Sequence, residues 1–253
     1  MDLLKYEKEY NIHVYETGPE GCLTIYSLFD YLQDIASVHA VKLGYGRDDL
    51  LEQNNFWVLS RIYAEISSLP EWNATIIIRT WPRGTDKIFA LRDYEVRYSD
   101  GRQIARATSS WLIVDQNTKR IQRPDNTLSM YNSDLLRIKA LTRNAMKLDP
   151  VPVDSRRTNT FSVRVSDLDI NLHTNMARYI KWVTDTYSLD FMLNNVPLSV
   201  EINYLAESHY DDTISILISE EKDSGKIFNH SIVRTSDNTE LCRLKIKWKN
   251  NHI

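Results

Sequence analysis

Three side chains capable of chemistry, Asp169, Asn171 and His173, stand at alternate positions in a short polar stretch of the chain. If this stretch is extended, alternate side chains leave the same face of the backbone, so the three groups would point into one space. A carboxylate, a carboxamide and an imidazole together can accept a proton, orient a water molecule and polarise a carbonyl group. The ordinary alternative is a turn that caps a helix, which needs Asp and Asn but no imidazole.

The residues that follow predict a helix that would hold this cluster at its start. Apolar residues recur at three- and four-residue intervals, as on the buried face of a helix: Met176, Tyr179, Ile180, Val183, Tyr187 and Phe191. Thr174 or Asn175 is placed to cap that helix. The first amides of a helix have no partner within it, so they can bind an oxygen that gains negative charge during a reaction.

The composition narrows the class of protein. The chain has 253 residues, of which 42% are hydrophobic and 26% charged, as expected of a soluble globular protein. A formal net charge of -3 argues against a general nucleic-acid binder, and no apolar run is long enough to span a membrane. The first residues do not resemble a signal or transit peptide. Two distant cysteines, Cys22 and Cys242, favour a reducing compartment, so we expect a cytoplasmic protein.

Two segments of the chain match each other without a gap. Residues 97–111 and 234–248 share Arg, Ser, Asp, Arg and Trp in register, and both contain a hairpin-turn dipeptide, Asp-Gly or Asp-Asn. The order of the surrounding elements repeats as well, which indicates an internal duplication rather than a chance likeness of two hairpins. Each half is predicted to contain a strand, one long helix and four antiparallel strands.

The predicted elements specify an α+β fold, a tandem double hot-dog in which each repeat wraps a curved antiparallel sheet around a long helix. A single repeat would leave a sheet edge and an apolar face open, so the pairing of two is expected. We predict an N-terminal domain over 1–130, a linker over 131–157 and a C-terminal domain over 158–253. The predicted strands lie at 10–15, 56–67, 75–81, 88–98 and 104–115, and at 160–165, 200–205, 213–220, 227–235 and 241–249. The first helix should bury Ile25, Leu28, Leu32, Ile35 and Ala36.

The stretch from Ser166 to Asn175, with Tyr179-Ile180-Lys181-Trp182 after it, closely resembles the signature of the acyl-acyl carrier protein thioesterases. This family includes plant plastid enzymes and their bacterial relatives. Shorter stretches at 57–61, 91–94, 107–111, 115–124 and 203–207 agree, so the resemblance covers nearly the whole chain. It implies two tandem hot-dog domains and hydrolysis of the thioester that joins a fatty acyl chain to acyl carrier protein.

The resemblance also implies roles for individual residues. The catalytic aspartate, asparagine and histidine of the family fall on Asp169, Asn171 and His173, and its catalytic glutamate falls on Glu207. The plant enzymes have a cysteine after that glutamate, where this chain has Ser208. They also have a second asparagine after the one that matches Asn175, where this chain has Met176. A cysteine–histidine mechanism is therefore not expected.

Two chemical routes are compatible with these residues. Asp169 or Glu207 could act as general base on water, or Asp169 could attack the carbonyl carbon itself and form a mixed anhydride. His173 and Asn171 would then hold the attacking group or donate to the carbonyl oxygen. No cofactor is expected, and no metal is expected, because one histidine with scattered carboxylates is a poor zinc site. His209 is predicted to be a surface residue.

The first repeat lacks a counterpart of the motif, since residues 16–21 contain neither Asn nor His. This predicts one active site per chain and leaves the N-terminal domain to bind the acyl chain. Ile25, Leu28, Leu32, Ile35, Trp57, Leu59 and Trp81 could line a tunnel or simply form the core. A homodimer is possible.

Acyl carrier proteins are acidic, so a basic surface should receive the substrate. Two groups of basic residues are candidates: Arg137, Lys139, Arg143 and Lys147, or Lys119, Arg120 and Arg123. The first group has an alternative interpretation as one face of a solvated linker. Alternative functions are an acyl-coenzyme A thioesterase, a hydroxyacyl-thioester dehydratase of the hot-dog fold and a non-catalytic acyl-binding protein.

Overall fold

Twelve antiparallel strands form one sheet in the computed structural model, which describes residues 4–124, 138–152, 154–158, 160–221 and 225–251. Alternation of apolar and polar residues explains the strands: in the last one, Leu244, Ile246 and Trp248 are buried while Lys247 and Lys249 are exposed. The strands are β1 (Tyr6–Asn11), β2 (Asn55–Ile66), β3 (Thr75–Asp86), β4 (Phe89–Tyr98), β5 (Gln103–Asp115), β6 (Ile121–Gln122), β7 (Arg156–Arg157), β8 (Phe161–Ser162), β9 (Asn195–Tyr204), β10 (Thr213–Glu220), β11 (Lys226–Arg234) and β12 (Thr239–Asn250).

The strand order repeats in the two halves of the sheet. In the first half the order is β1-β3-β4-β5-β2, and in the second half it is β9-β12-β11-β10, with the short β7 and β8 both paired to β10. The halves join where β2 pairs with β9, in a register that includes Arg61 opposite Asn203. Each half thereby covers a sheet edge that would otherwise be open to solvent.

Four helices of the described residues lie against this sheet: α1 (Ile25–Lys42), α2 (Arg47–Leu51), α3 (Met176–Thr184) and α4 (Leu189–Asn194). Thr24 caps α1 by accepting a hydrogen bond from the amide of Ser27 at 3.2 Å. The apolar face predicted for α1 is confirmed, since all five of its residues are buried. Helices α1 and α3 pack against each other, and one continuous core contains residues from both halves.

The prediction of one long helix in the second half is wrong. The helix stops at Thr184, and a second short helix begins at Leu189. Polar side chains between them form local caps instead: the hydroxyl of Thr186 donates to the carbonyl of Val183, and Ser188 accepts from the amide of Phe191. Tyr187 and Phe191 continue the helical spacing of apolar residues in the sequence, but the helix is interrupted between Thr184 and Leu189.

Two strand predictions are also wrong, one at the start of each half. The first strand covers Tyr6–Asn11 rather than 10–15, because a 3₁₀ turn occupies Val14–Glu16. Only Phe161–Ser162 of the segment 160–165 pairs as a strand, because a 3₁₀ turn begins at Val165. The remaining predicted strands are confirmed, with ends that differ by a few residues. The domain boundaries at 130 and 157 stay a prediction, since residues 125–137 and 153 lie outside the described residues.

Candidate active site

The segment that carries the candidate catalytic residues is a closed turn, which is the second of the two arrangements that the sequence allowed. Leu168 and Thr174 pair across the turn, and the amide of Asp169 donates to the carbonyl of His173 at 2.8 Å. Leu172 adopts a left-handed backbone conformation with φ of 61°, which the reversal requires. The three residues are therefore carried by a turn before α3 rather than by an extended strand.

Asp169 holds this turn together. Its Oδ1 accepts hydrogen bonds from the amide of Asn171 at 2.8 Å and from the amide of His173 at 3.3 Å. Such contacts are the ordinary way in which an aspartate stabilises a turn. One carboxylate oxygen is thus occupied by the backbone, while Oδ2 makes no hydrogen bond within the described part of the chain.

His173 lies beside Glu207, as the resemblance implies. Its Nε2 is 3.5 Å from Oε2 of Glu207, and both side chains are partly exposed, with 35% and 47% of their surfaces accessible. Glu207 is on the loop that follows β9, and a third group, the ring of His209, stands perpendicular to His173 at 5.1 Å between centroids. The prediction that His209 is a surface residue holds, yet the fold places it at the candidate site.

Asn171 is oriented from the other half of the molecule. Its side-chain oxygen accepts a hydrogen bond at 3.0 Å from Nε of Arg47, which opens α2. The side-chain nitrogen of Asn171, Nδ2, is left free to donate a hydrogen bond, because Arg47 binds the side-chain oxygen. Arg47 was not predicted: it stands 124 residues from Asn171, and its sequence context carries no signal of this contact.

Of the two residues predicted to cap α3, Thr174 and Asn175, the structure has Asn175 as the cap. The side chain of Asn175 accepts from the amide of Ala177 at 2.8 Å, so Asn175 is the cap, and its nitrogen donates to Gln33 of α1 at 3.3 Å. Thr174 is buried instead, and its amide donates to the carbonyl of Ser208 at 3.0 Å. The turn is thereby fixed both to α1 and to the loop that carries Glu207.

Ser208 is a structural residue in this arrangement. It is fully buried, its hydroxyl donates to Oγ1 of Thr174 at 2.7 Å, and it lies 2.9 Å from the hydroxyl of Tyr179. Since a serine has one hydroxyl proton, Tyr179 is the donor of the second bond.

Neither cysteine offers a ready thiolate. Burial raises the pKa of the Cys242 thiol well above its ordinary value, and burial beside Glu20 raises the pKa of Cys22. A cysteine nucleophile is therefore disfavoured, in agreement with the expectation from the sequence.

A large cavity lies elsewhere in the described part of the chain. It has a volume of about 710 Å³, and Cys22, Ile25, Leu69, Tyr187 and Trp248 are among the residues that line it. None of the four candidate catalytic residues does. Of the residues considered for a tunnel, Leu28, Leu32, Ile35 and Trp81 are buried in the structure, Trp57 and Leu59 are half-buried, and Ile25 reaches the cavity.

Two models of a known protein family match this chain. The family model of the acyl-ACP thioesterase N-terminal domain matches residues 3–131, and the model of the C-terminal domain matches residues 151–250. The chain belongs to the acyl-ACP thioesterase family. No helix of the described residues has the length and apolar character needed to cross a membrane.

Relatives of known name are distant in sequence. An oleoyl-acyl carrier protein thioesterase of Coriandrum sativum is 26% identical over 238 residues, which cover 88% of this chain and 64% of that protein. A palmitoyl-acyl carrier protein thioesterase of Arabidopsis thaliana is 25% identical, covering 98% of this chain and 65% of that protein. Both plant proteins are chloroplastic, and the chain spans just under two thirds of their length.

Solved structures share the architecture over its full extent. An acyl-ACP thioesterase from Bacteroides thetaiotaomicron superposes with a TM-score of 0.85 at 25% identity, covering 98% of this chain and 100% of that one. The 12:0-ACP thioesterase from Umbellularia californica gives a TM-score of 0.83 at 21% identity, covering 98% of this chain and 98% of that one. The α+β double hot-dog predicted from the sequence is consistent with both comparisons.

Proposed function

We propose that this chain is a thioesterase that hydrolyses fatty acyl-acyl carrier protein to free fatty acid and carrier protein. The observation that carries the proposal is the approach of His173 to Glu207 at 3.5 Å, beside a turn that begins a helix. The family membership and the plant relatives named for acyl carrier protein substrates support it. No cofactor takes part.

Water is the proposed nucleophile, and Glu207 is its general base. Glu207 takes a proton from water, whose oxygen attacks the thioester carbonyl carbon, and the carbon–sulfur bond then breaks. The protonated imidazole of His173 gives its Nε2 proton to the leaving sulfur, which leaves the ring neutral, and it regains a proton from Glu207 across the 3.5 Å gap. Direct attack by Asp169 is less favoured, because one oxygen of that carboxylate already accepts two backbone amides.

Asn171 is proposed to stabilise the oxyanion. Its nitrogen is available as a donor because Arg47 holds the carboxamide oxygen at 3.0 Å. A donor fixed before the reaction costs no reorganisation when charge develops on the carbonyl oxygen, which is why such groups contribute strongly to catalysis. In this scheme Asp169 is a positioning residue that shapes the turn, and Arg47 positions Asn171.

The domain over 1–130 is proposed to bind the acyl chain, with the catalytic residues on the domain over 158–253 and a linker between them. The cavity that Cys22 and Ile25 line together with Tyr187, Met192 and Trp248 of the second half offers space beside the N-terminal domain and supports this proposal. A cytoplasmic location is proposed as well, since Cys22 and Cys242 are both free thiols, as in reducing compartments. The homodimer stays a prediction.

The surface formed by Lys119, Arg120 and Arg123 is the better candidate for docking the acidic carrier protein. All three side chains are exposed around the hairpin between β5 and β6. In the other group, Arg143 is committed to two hydrogen bonds of 2.8 Å with Glu201, and Arg137 lies outside the described residues. Reversal of charge at the three exposed residues should raise KM for carrier-bound esters and leave KM for coenzyme A esters unchanged.

The proposed function is tested by free-thiol release from a panel of acyl-acyl carrier proteins, with the matching acyl-coenzyme A esters assayed alongside. Preferential hydrolysis of the carrier-bound esters is the expected result, with activity that falls as salt rises. Equal or better hydrolysis of the coenzyme A esters would assign the substrate to that class instead. No hydrolysis of any ester by folded protein would reject the thioesterase.

A further inference from the structure

We propose that His173, Glu207 and His209 form a zinc-binding site, and that zinc bound there reversibly inhibits the enzyme. Each residue offers one ligand atom, and the three atoms all lie within 4.8 Å of one another. Two imidazoles and one carboxylate form a donor set that suits Zn²⁺. The sequence predicts no metal site, because only one histidine lies in the motif; the fold adds His209 as the second.

The distance between two of the candidate ligand atoms is close to the distance expected in a zinc site. Two ligands held at about 2.0–2.1 Å from a tetrahedral zinc stand roughly 3.3–3.4 Å apart. Nε2 of His173 and Oε2 of Glu207 are already 3.5 Å apart, so this pair needs almost no movement to share an ion. The ligand atom of His209 lies within 4.8 Å of the other two, so this exposed side chain has to approach them by up to about 1.5 Å to reach tetrahedral spacing.

The two segments that carry the ligands are tied together at one point. The amide of Thr174 donates to the carbonyl of Ser208 at 3.0 Å, and the hydroxyl of Ser208 donates to Oγ1 of Thr174 at 2.7 Å. His173 directly precedes Thr174, while Glu207 and His209 stand on either side of Ser208. The three ligands therefore flank a buried double hydrogen bond, which reduces the ordering required when a metal binds.

The loop is restrained on its outer side as well. The amide of His209 donates to Oδ2 of Asp212 at 2.9 Å, and Arg234 pairs with the same carboxylate oxygen at 3.2 Å. In the first half, the amide of Leu23 donates to the carbonyl of Pro70 at 2.7 Å, which is the equivalent of the bond from Thr174 to Ser208. The residues that occupy the places of His173, Glu207 and His209 there are Cys22, Leu69 and Glu71. The nitrogen-rich donor set is thus specific to the second half.

The effect on activity rests on the proposed function. A bound zinc would occupy Nε2 of His173 and Oε2 of Glu207, the two atoms assigned to proton transfer, so neither could act on water or on the leaving sulfur. His209 has no part in that scheme. Its substitution therefore separates metal binding from catalysis.

Isothermal titration of untagged protein with ZnCl₂ tests the site without any reaction. We expect one zinc site that depends on His209, with affinity at least about tenfold lower in His209→Gln, since loss even of a residue that supports a ligand costs this much. The matched control is His13→Gln, an exposed histidine of the first half, which should bind zinc as the wild type does. MgCl₂ should not bind, because Mg²⁺ requires oxygen ligands. Absence of zinc binding, or equal affinity in His209→Gln, would overturn the proposal.

Thiol release in the presence of zinc then tests inhibition. His209→Gln should hydrolyse acyl-acyl carrier protein at the wild-type rate without zinc and need at least about tenfold more zinc for half-inhibition. Zinc that raises the rate, through a metal-bound water, would overturn the inhibitory role. Zinc binding that depends on His209 in a protein that hydrolyses no ester would support the metal site and reject the proposed function, so the two failures are distinguishable.

Discussion

The turn that precedes α3 and the turn that precedes α1 have the same backbone and different side chains. The amide of Asp169 donates to the carbonyl of His173 at 2.8 Å, and the amide of Gly18 donates to the carbonyl of Cys22 at 2.9 Å. The left-handed residue is Leu172 in one turn, with φ of 61°, and Gly21 in the other, with φ of 76°. Each turn follows a 3₁₀ turn and ends at a helix cap.

The comparison extends to the loop that meets each turn. When the two turns are aligned, Asp169 corresponds to Gly18, Asn171 to Glu20 and His173 to Cys22. The backbone hydrogen bonds accepted by the carbonyls of Ser208 and Pro70 are also equivalent, so Glu207, which precedes Ser208, corresponds to Leu69, which precedes Pro70. The backbone arrangement at the start of the helix therefore occurs twice in the fold, and only one copy carries the side chains proposed to act in catalysis. The cavity of about 710 Å³ lies beside the other copy, where Cys22, Ile25 and Leu69 contribute to its wall.

The strongest test of this asymmetry compares His173→Ala with Cys22→Ala. Loss of the imidazole should lower kcat by about 10²–10⁴-fold, as expected when a general acid or base is removed. The cysteine variant should keep the wild-type kcat, since its turn carries no catalytic group. Thiol release from one acyl-acyl carrier protein, with thermal unfolding to check folding, makes the comparison. Equal losses in both variants would contradict a single site per chain.

Asn171→Ala and Glu20→Ala sharpen the comparison at the next position. Removal of the oxyanion donor should reduce kcat by about 10²–10³-fold with little change in KM, because the bond strengthens only in the transition state. Glu20→Ala should leave kcat unchanged. Steady-state kinetics on the same substrate provide both constants. A loss seen in KM alone would remove Asn171 from the oxyanion site.

Ser208→Ala distinguishes a structural serine from a nucleophile. The variant breaks the bond to Thr174 and leaves Tyr179 without its acceptor, so the free energy of unfolding should fall by about 1–3 kcal/mol. The folded fraction should retain kcat within a few-fold. Urea unfolding and thiol release are the measurements. A folded variant with no turnover would show that Ser208 acts in the reaction.

Substitutions of Gly21 and Leu172, the left-handed residues of the two turns, are expected to have the smallest effect, and this effect is on stability. Gly21→Ala should lower the free energy of unfolding by about 1–2 kcal/mol, because a residue with a Cβ is strained at positive φ. The added Cβ meets no atom within 4 Å, so backbone strain is the sole cause within the described structure. Leu172→Gly relieves the same strain and loses chain rigidity, so it should change stability by less than about 1 kcal/mol. Urea unfolding tests both, and a larger loss in Leu172→Gly would refute this account of the turn.

Much of the fold follows from local pattern. Alternation predicted β12, where Leu244, Ile246 and Trp248 face the core, and helical spacing predicted the buried face of α1. The repeat between residues 97–111 and 234–248 predicted the paired architecture, because it recurs in strands that hold matching places in the two halves of the sheet. These features depend on neighbours in the chain and on which face meets the core.

The site depended on contacts that sequence spacing does not encode. Asp169, Asn171 and His173 fit an extended strand and a capped turn equally well, and the bonds from two backbone amides to Asp169 decide for the turn. The contact of Arg47 with Asn171 joins distant elements. The position of His209 beside His173 follows from a loop closure that no periodicity predicts.

The most direct test of the central claim is a double-variant cycle on His173 and Glu207. The rates of thiol release from acyl-acyl carrier protein are compared for wild type, His173→Ala, Glu207→Gln and the double variant. If the pair acts as one proton-transfer unit, each single variant loses nearly as much activity as the double variant does. Losses that multiply in the double variant, or a Glu207→Gln variant of wild-type activity, would contradict the account.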